Sequence, residues 1–384
     1  MHRYFQPTRI NFGAGTLNNL AKIAKPYGNK CCLVTTENAG PLKPLYDRVK
    51  DLLTAEGISV IHFDKVEPDP HSEMLEEGIN LIKENPVDFV LAVGGGSSID
   101  SAKALAFTYG LPEVKWHSLF ETYNSPFVNP PRPSDQCLPL IAVPTTSGTG
   151  SQVTQASVIT HAGEKLTFYH EAMFAKEAIL DPEILTSMPR SLTAISGFDA
   201  FTHAFESFIS INGTKLSRMD SLNALRLIFK YLPIVYKEPN NLEARMMMSL
   251  ADTMAGKALS NGGAEAPHPL SELLGSYVHV PHGQALAIVY PAFLKASSKK
   301  HEEDYQTIFA LMKEYSDFLS DEENLAEAVE TFLDVLGLRK DLDSIGVTEE
   351  VFAQVTAHPM LDHLPFGDGQ YMRGILEESR TLKK

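Results

Sequence analysis

Asp199 and His203 stand four residues apart in the segment Gly197-Phe198-Asp199-Ala200-Phe201-Thr202-His203. The segment reads as helix, so both side chains leave one face a single turn from each other. That is the geometry two ligands need to grip one metal ion. His268, in His268-Pro269-Leu270-Ser271-Glu272, and His282, in Val280-Pro281-His282-Gly283, can supply two more. A carboxylate with three imidazoles suits a borderline divalent ion such as Fe2+ or Zn2+, whereas Mg2+ and Ca2+ prefer all-oxygen shells. Taken singly, each has an ordinary role. Asp199 can be an early-helix acid answering the helix dipole. His203 can be a core-edge histidine, His268 a turn residue after Pro267, and His282 a neighbour of a helix cap. Only the joint pattern points to a metal. His279 is expected at the surface or behind the ligands, and Glu206, three past His203, can orient that imidazole.

Something must hold these residues in place. From about Ser191 onward strand-like runs disappear and helical periodicity dominates, over Leu216 to Val235, Asn241 to Ser260, Glu302 to Leu319 and Leu325 to Leu336. This half reads as an all-helical domain carrying the ligands. The first half instead alternates short apolar runs with helical patterns. Cys31 to Thr35, Ile58 to Phe63, Phe89 to Val93 and Leu138 to Val143 read as strands, and Leu42 to Glu56 and His71 to Glu84 as helices. Strand–helix alternation with continuous apolar strands implies a parallel sheet buried on both faces. Residues Leu111 to Gln136, rich in Pro, Asn and Ser, read as an irregular surface excursion. Leu180-Asp181-Pro182 and Met188-Pro189 mark the boundary, giving domains of 1–186 and 187–384.

Two loops follow strands of that sheet. Gly94-Gly95-Gly96-Ser97-Ser98 runs from the third strand into a helix, where glycines let backbone N–H groups approach a phosphate. Its spacing is not G-x-G-x-x-G, and a glycine triplet is often only a tight turn; the strand–Gly–helix context is what favours phosphate. Pro144-Thr145-Thr146-Ser147-Gly148-Thr149-Gly150-Ser151 is dense in hydroxyls that suit a ribose or carboxamide, or that cap one another. Two such loops favour a ligand at the strands' carboxyl ends.

The totals bound the rest. At 384 residues, 43% hydrophobic and 21% charged, the chain has the size for two domains and the composition of a packed protein. A formal net charge of −15 argues against nucleic-acid binding. Three cysteines, two of them adjacent at Cys31 and Cys32, form no disulfide framework and fit a reducing cytoplasm. The N-terminal Met1 to Gln6 lacks a signal-peptide pattern, and no apolar run approaches membrane-spanning length, so no membrane partner is expected.

Asp-x-x-x-His, a second His and a Pro-His-Gly fourteen residues later resemble the iron-dependent (group III) alcohol dehydrogenases. So do Gly-Gly-Gly-Ser-x-x-Asp-x-x-Lys and Pro-Thr-Thr-x-Gly-Thr-Gly-Ser, in the family's order. Ile10 to Gly15 and Ile179 to Pro182 also match, so the likeness spans roughly residues 5 to 293. It implies a Rossmann-like α/β domain, a helical metal domain of dehydroquinate synthase-like architecture, and NAD or NADP as cofactor. Asp199, His203, His268 and His282 would hold Fe2+, or alternatively Zn2+. Gly95, Gly96 and Ser97 would hold the pyrophosphate, with Asp100 of the same motif among the cofactor contacts. Thr145, Thr146 and Thr149 would line the nicotinamide side, and Lys165 would stand near the ribose. Asp69 falls where the family usually has Asn, near the adenosine half. The reaction implied is hydride transfer between NAD(P) and a small primary alcohol or aldehyde, in a homo-oligomer, dimer or larger.

Three departures matter. After the first strand the family often has Val-Thr-Asp, where the acid repels a 2′-phosphate; here Thr36 brings no charge, which lowers the bar to NADP, although Glu37 can still repel. Glu272 replaces a histidine usually found four after the residue matched by His268. There it can shuttle a proton, bind a cationic or hydroxyl-rich substrate, or turn to solvent. Near Leu361 to Asp368 the family often reads Asn-Pro-Arg, so relatives' substrates do not transfer. Gln370 to Thr381 looks like the terminal helix. The competing readings are a glycerol dehydrogenase or dehydroquinate synthase-like lyase, and a non-catalytic nucleotide- or metal-binding protein.

Overall fold

The computed structural model describes residues 3–380. In chain order the first half holds β1 (Arg9–Phe12), α1 (Leu20–Ala24), β2 (Lys30–Thr36), α2 (Lys43–Ala55), β3 (Ser59–Val66), α3 (Ser72–Glu84), β4 (Phe89–Gly94) and α4 (Gly96–Thr108). It continues with α5 (Trp116–Thr122), β5 (Leu140–Pro144), β6 (Ala156–His161), β7 (Glu164–Tyr169) and β8 (Glu177–Leu180). Six of these strands form one parallel sheet in the order β1-β8-β5-β4-β2-β3. The α/β reading holds, and the reason is visible strand by strand. Cys32, Val34, Val90 and Ala92 face one apolar layer, while Cys31, Leu33, Phe89, Leu91 and Val93 face another. Alternation buries both sets, so no polar residue interrupts the run.

Register sets the site. Gly94 of β4 lies beside Pro144 of β5, so the glycine loop and the threonine loop leave the same sheet edge side by side. The Thr145 N–H donates to the Gly94 carbonyl at 2.9 Å.

Two features depart from the sequence reading. Residues 111–136 are not wholly irregular, because α5 sits inside them and buries Trp116, Leu119 and Phe120. The antiparallel hairpin β6–β7 was not anticipated. Its strands interleave polar residues, and its turn uses Ala162 and Gly163, both at positive φ (52° and 86°), rather than Asn-Gly.

From Arg190 every regular element among the described residues is helical: α6 (Arg190–Ile209), α7 (Lys215–Lys237), α8 (Leu242–Gly262), α9 (Pro267–Tyr277), α10 (His282–Ser297), α11 (Glu302–Tyr315), α12 (Leu325–Val335), α13 (Glu349–Ala357) and α14 (Gly369–Glu378). The terminal helix is thus α14, and Thr381 lies outside the described residues. α6 runs through the middle of this half. Phe198, Phe201 and Phe205 pack against Tyr290 of α10 at 5.5–5.6 Å between ring centroids. A helix enclosed on all sides keeps polar groups only where partners wait for them. On α6 the buried titratable groups are Asp199, His203 and Glu206.

Candidate metal and cofactor site

The spacing of Asp199, His203 and Glu206 brings all three to one side of α6. Pro267 stands at the start of α9 and puts His268 in its first turn, while Pro281 precedes His282, the first residue of α10. Proline suits helix starts, where no intrahelical N–H is lost. Both imidazoles therefore sit at helix N-termini, where the dipole disfavours a protonated ring.

The four side chains converge on one point. Asp199 Oδ1 lies 3.5 Å from His203 Nε2, 4.0 Å from His268 Nε2 and 3.7 Å from His282 Nε2. One ligand atom each from Asp199, His268 and His282 falls within 4.8 Å of the others. His203 joins through Asp199 and stacks on the His268 ring at 4.8 Å.

The other ring nitrogens are committed elsewhere. His203 Nδ1 donates to the Gly148 carbonyl at 3.1 Å, and His268 Nδ1 donates to Glu206 Oε2 at 2.7 Å. Ser271 Oγ gives its proton to the His268 carbonyl, so at 3.2 Å it accepts from His282 Nδ1. With all three Nδ1 atoms protonated, the three Nε2 lone pairs face Asp199. Buried Asp199 Oδ1 and His268 Nε2 have no hydrogen-bond partner among the described residues.

The electrostatics fit a missing cation. Burial pushes the Asp199 carboxyl up to about 8, aided by Asp252 and Glu206. Burial and the neighbouring His268 hold His203 and His282 well below the usual imidazole range. Burial opposes the charge of His268 as well, but Glu206, Asp199 and Glu272 outweigh it and raise that imidazole to about 9. One carboxyl and three imidazoles, once deprotonated by a bound ion, are a donor set that suits a divalent transition metal.

These side chains open into a cleft of about 570 Å³ that also reaches the sheet half. Asp69, Gly96, Ser97, Asp100, Thr149 and Lys165 are on its wall, together with Asp199, His203, His268, Glu272 and His282. Thr36, Gly95, Thr145 and Thr146 are not. Gly95 and Gly96 begin α4, tight against the threonine loop. A Cβ on Gly96 would come within 2.7 Å of Thr149 Cγ2, and one on Gly95 within 3.3 Å of Thr146. That narrow cradle at a helix N-terminus suits a phosphate group.

Other candidates have partners that define them. Lys165 Nζ pairs with Asp69 Oδ1 at 2.7 Å, and Asp69 holds a positive φ of 53°, a conformation Asn and Asp tolerate. Asp100 accepts from Ser151 Oγ at 2.5 Å and from the Val158 N–H at 3.1 Å, and it lies 3.4 Å from the Lys103 ammonium. Its carboxylate is therefore engaged within the protein. Thr36 sits at the carboxyl end of β2 with Oγ1 2.7 Å from Tyr46 OH.

Glu206 serves His268 rather than His203, because three residues on from His203 its side chain reaches α9. Sequence reading missed Asn124, Phe127 and Tyr169, which also line the cleft; Phe366, from the divergent Leu361 to Asp368 stretch, lines it too. No motif marks them. Glu272 is on the cleft wall, and burial raises its carboxyl above the usual range against the pull of His268 and Lys165.

Known proteins resemble this chain in sequence and in fold. The sequence family described as iron-containing alcohol dehydrogenase matches residues 7–182, and its C-terminal counterpart, the Fe-containing alcohol dehydrogenase family, matches residues 193–373. The long-chain-alcohol dehydrogenase 1 of Geobacillus thermodenitrificans is 32% identical over 91% of this chain and 88% of its own. The NADPH-dependent butanol dehydrogenase of Clostridium saccharobutylicum is 33% identical, over 80% and 77% respectively. A solved archaeal halo-thermophilic alcohol dehydrogenase from a Red Sea brine pool has a TM-score of 0.86 at 28% identity, over 99% of each chain. Membership sides with a dehydrogenase against the lyase and the non-catalytic protein. With both halves matched in order and four candidate ligand side chains converging on one point, this chain belongs to the iron-containing alcohol dehydrogenase family of NAD(P)-linked oxidoreductases.

Proposed function

We propose that the chain interconverts a small primary alcohol and its aldehyde, using Fe2+ in preference to Zn2+ and accepting NADP as well as NAD. Residues 1–186 serve the cofactor and residues 187–384 the metal and the substrate. The observation that carries this reading is the pair of buried, partnerless atoms, Asp199 Oδ1 and His268 Nε2, facing Nε2 of His203 and His282 in a cleft shared with the glycine loop.

Bound in this cleft, the metal supplies a Lewis acid for the alcohol oxygen and the nicotinamide supplies the hydride acceptor. Four protein ligands leave room for substrate only beyond four-coordination, which Fe2+ accepts more readily than Zn2+. Gly95, Gly96 and Ser97 present α4's first N–H groups to the pyrophosphate. Thr145, Thr146 and Thr149 would line the nicotinamide side, Lys165 would meet the ribose, and Asp69 and Thr36 would complete the cofactor contacts, with Asp100 holding the threonine loop through Ser151. Glu272 meets the substrate from the α9 side. An alcohol held here would give up its hydroxyl proton to water in the cleft and its carbinol hydride to the bound cofactor, leaving the aldehyde C=O. Glu206, Gly148 and Ser271 keep the imidazoles aimed while this happens.

NADP tolerance is supported by uncharged Thr36 and by the name of the NADPH-dependent relative. A cytoplasmic setting is supported by free Cys31, Cys32 and Cys137. No helix among the described residues is long and apolar enough to cross a membrane. A homo-oligomer, dimer or larger, would cover exposed apolar side chains such as Phe12, Val128 and Ile211. The test is metal analysis of anaerobically purified protein, followed by an aldehyde panel with NADH and NADPH. Bound iron and aldehyde-dependent oxidation of both cofactors are expected; absence of metal together with inactivity on every aldehyde would sink the reading.

A further inference from the structure

The cleft wall carries four carboxylates, Asp69, Asp100, Asp199 and Glu272, and among its lining residues Lys165 alone is an amine or guanidinium. Three of the four are answered. Asp69 takes Lys165 at 2.7 Å, Asp100 has Ser151, the Val158 N–H and Lys103, and Asp199 faces three imidazoles. The Glu272 carboxylate has no hydrogen bond or ion pair among the described residues. It leaves α9 one turn after His268, on the same side, so it stands next to the reacting centre. A partly buried carboxylate without a partner is costly unless a ligand supplies one. Tyr169, whose phenol is pushed up to about 12 by its own burial and then by the Glu272 charge, lines the same cleft wall, and Phe127 and Phe366 line the cleft as well. The ring of Phe127 closes over Gly263, where an added Cβ would lie 3.3 Å from it. An unpartnered carboxylate in a cleft with aromatic walls suits a substituted ammonium, which keeps little hydration and can gain both Coulomb and cation–π attraction.

We propose that the preferred substrates are cationic alcohols, with a primary hydroxyl at the metal-binding side chains and an ammonium or quaternary ammonium group a few bonds away at Glu272. The inference rests on the alcohol dehydrogenase reading and narrows its substrate class. Lys165 also acts on Glu272, but its ammonium is shared with Asp69 at 2.7 Å and forms no ion pair with Glu272 among the described residues.

The test compares choline with its uncharged isostere 3,3-dimethyl-1-butanol in the metal-loaded enzyme, and separately measures tetramethylammonium binding by calorimetry. Choline is expected to exceed the isostere in kcat/KM by roughly tenfold or more. Glu272→Gln should bring that ratio close to one, Glu272→Asp should restore part of it, and tetramethylammonium binding should weaken with the ratio. Equal use of choline and isostere, with no tetramethylammonium binding, would overturn the cation and leave the dehydrogenase standing. Tetramethylammonium binding without oxidation of either alcohol would overturn the dehydrogenase and leave the cation site. If Glu272→Gln shifts only the relative affinities for NAD+ and NADH and spares the choline ratio, the carboxylate serves the oxidised nicotinamide and the proposal fails.

Discussion

Asp252 of α8 accepts the backbone N–H of Gly150 and the side-chain amide of Gln152, each at 2.8 Å. This carboxylate of the helical half grips the threonine loop of the sheet half just past Thr149. The grip is reinforced by bare backbone: a Cβ on Gly256 would lie 2.8 Å from Gly150 Cα. The same loop offers the Gly148 carbonyl to His203. The distance between cofactor loop and metal-binding side chains is thereby set by a few direct contacts. Asp252→Ala leaves the buried Gly150 N–H unpaired, at a cost of about 1–3 kcal/mol, and strips Gln152 of one of its two partners, Thr253 Oγ1 remaining at 3.2 Å. The expected outcome is a melting temperature several degrees lower and a KM for NAD(P)H raised about tenfold, with the metal content unchanged. Equal loss of metal and cofactor affinity would show that the contact only supports the fold.

Asp252 also gives a pH dependence with a definite sign. Burial pushes its carboxyl up from 3.8 to about 6, against the hydrogen bonds from Gln152, Gly150 and Gly148. The folded state therefore binds the proton more tightly than the unfolded chain does. Its contribution is fully present below about pH 4 and is lost as pH rises through about 6. Subtracting the urea unfolding free energy of Asp252→Asn from that of the wild type, point by point from pH 4.5 to 7, should leave a difference that declines with pH. A difference that rises with pH would mean that Asp252 is held ionised.

The sheet was legible because its strands are continuous apolar runs, such as Phe89 to Val93, and the convergence of Asp199 and His203 because they carry helical spacing. What escaped depends on contacts between distant segments. Phe127, Tyr169 and Phe366 come from a loop, a hairpin strand and the C-terminal region, and only the fold gathers them on one cleft. The Asp100–Ser151 contact spans 51 residues, and nothing in the motif tells an acid that meets cofactor from one that ties down its own loop. Glu206 was noticed for its spacing but linked to the wrong histidine, since spacing gives the face of a helix and not the element packed against it.

Glu206 should tune metal retention without touching metal. Its Oε2 accepts from His268 Nδ1 and from the Glu265 N–H, both at 2.7 Å. Glu206→Gln keeps the shape and removes the charge that makes the imidazole a better donor. Loss of such a partner typically weakens metal binding by about 10–100-fold. Competition with a chelator should read this directly, independently of turnover. His268→Ala should instead leave the protein without stoichiometric metal, and it should abolish the rise in melting temperature that loading confers on the wild type, about 2.7 kcal/mol at a metal concentration a hundred times Kd.

Thr36 is where cofactor choice can be reversed by one side chain. It ends β2, and its hydroxyl meets the Tyr46 phenol at 2.7 Å. An aspartate there would accept the Tyr46 proton, place a negative charge beside the adenosine ribose and stand against a 2′-phosphate. Two like charges about 4 Å apart near a protein surface repel by up to about 4 kcal/mol, so a fall of roughly a hundredfold in kcat/KM for NADPH is a moderate expectation. NADH should lose little, because the same carboxylate can accept from its 2′-hydroxyl. The wild type is the control that matters most. A wild-type preference for NADH above roughly a thousandfold, near 4 kcal/mol, would mean that Glu37 or another group already repels the phosphate, and that the absence of charge at Thr36 does not open the site to NADP.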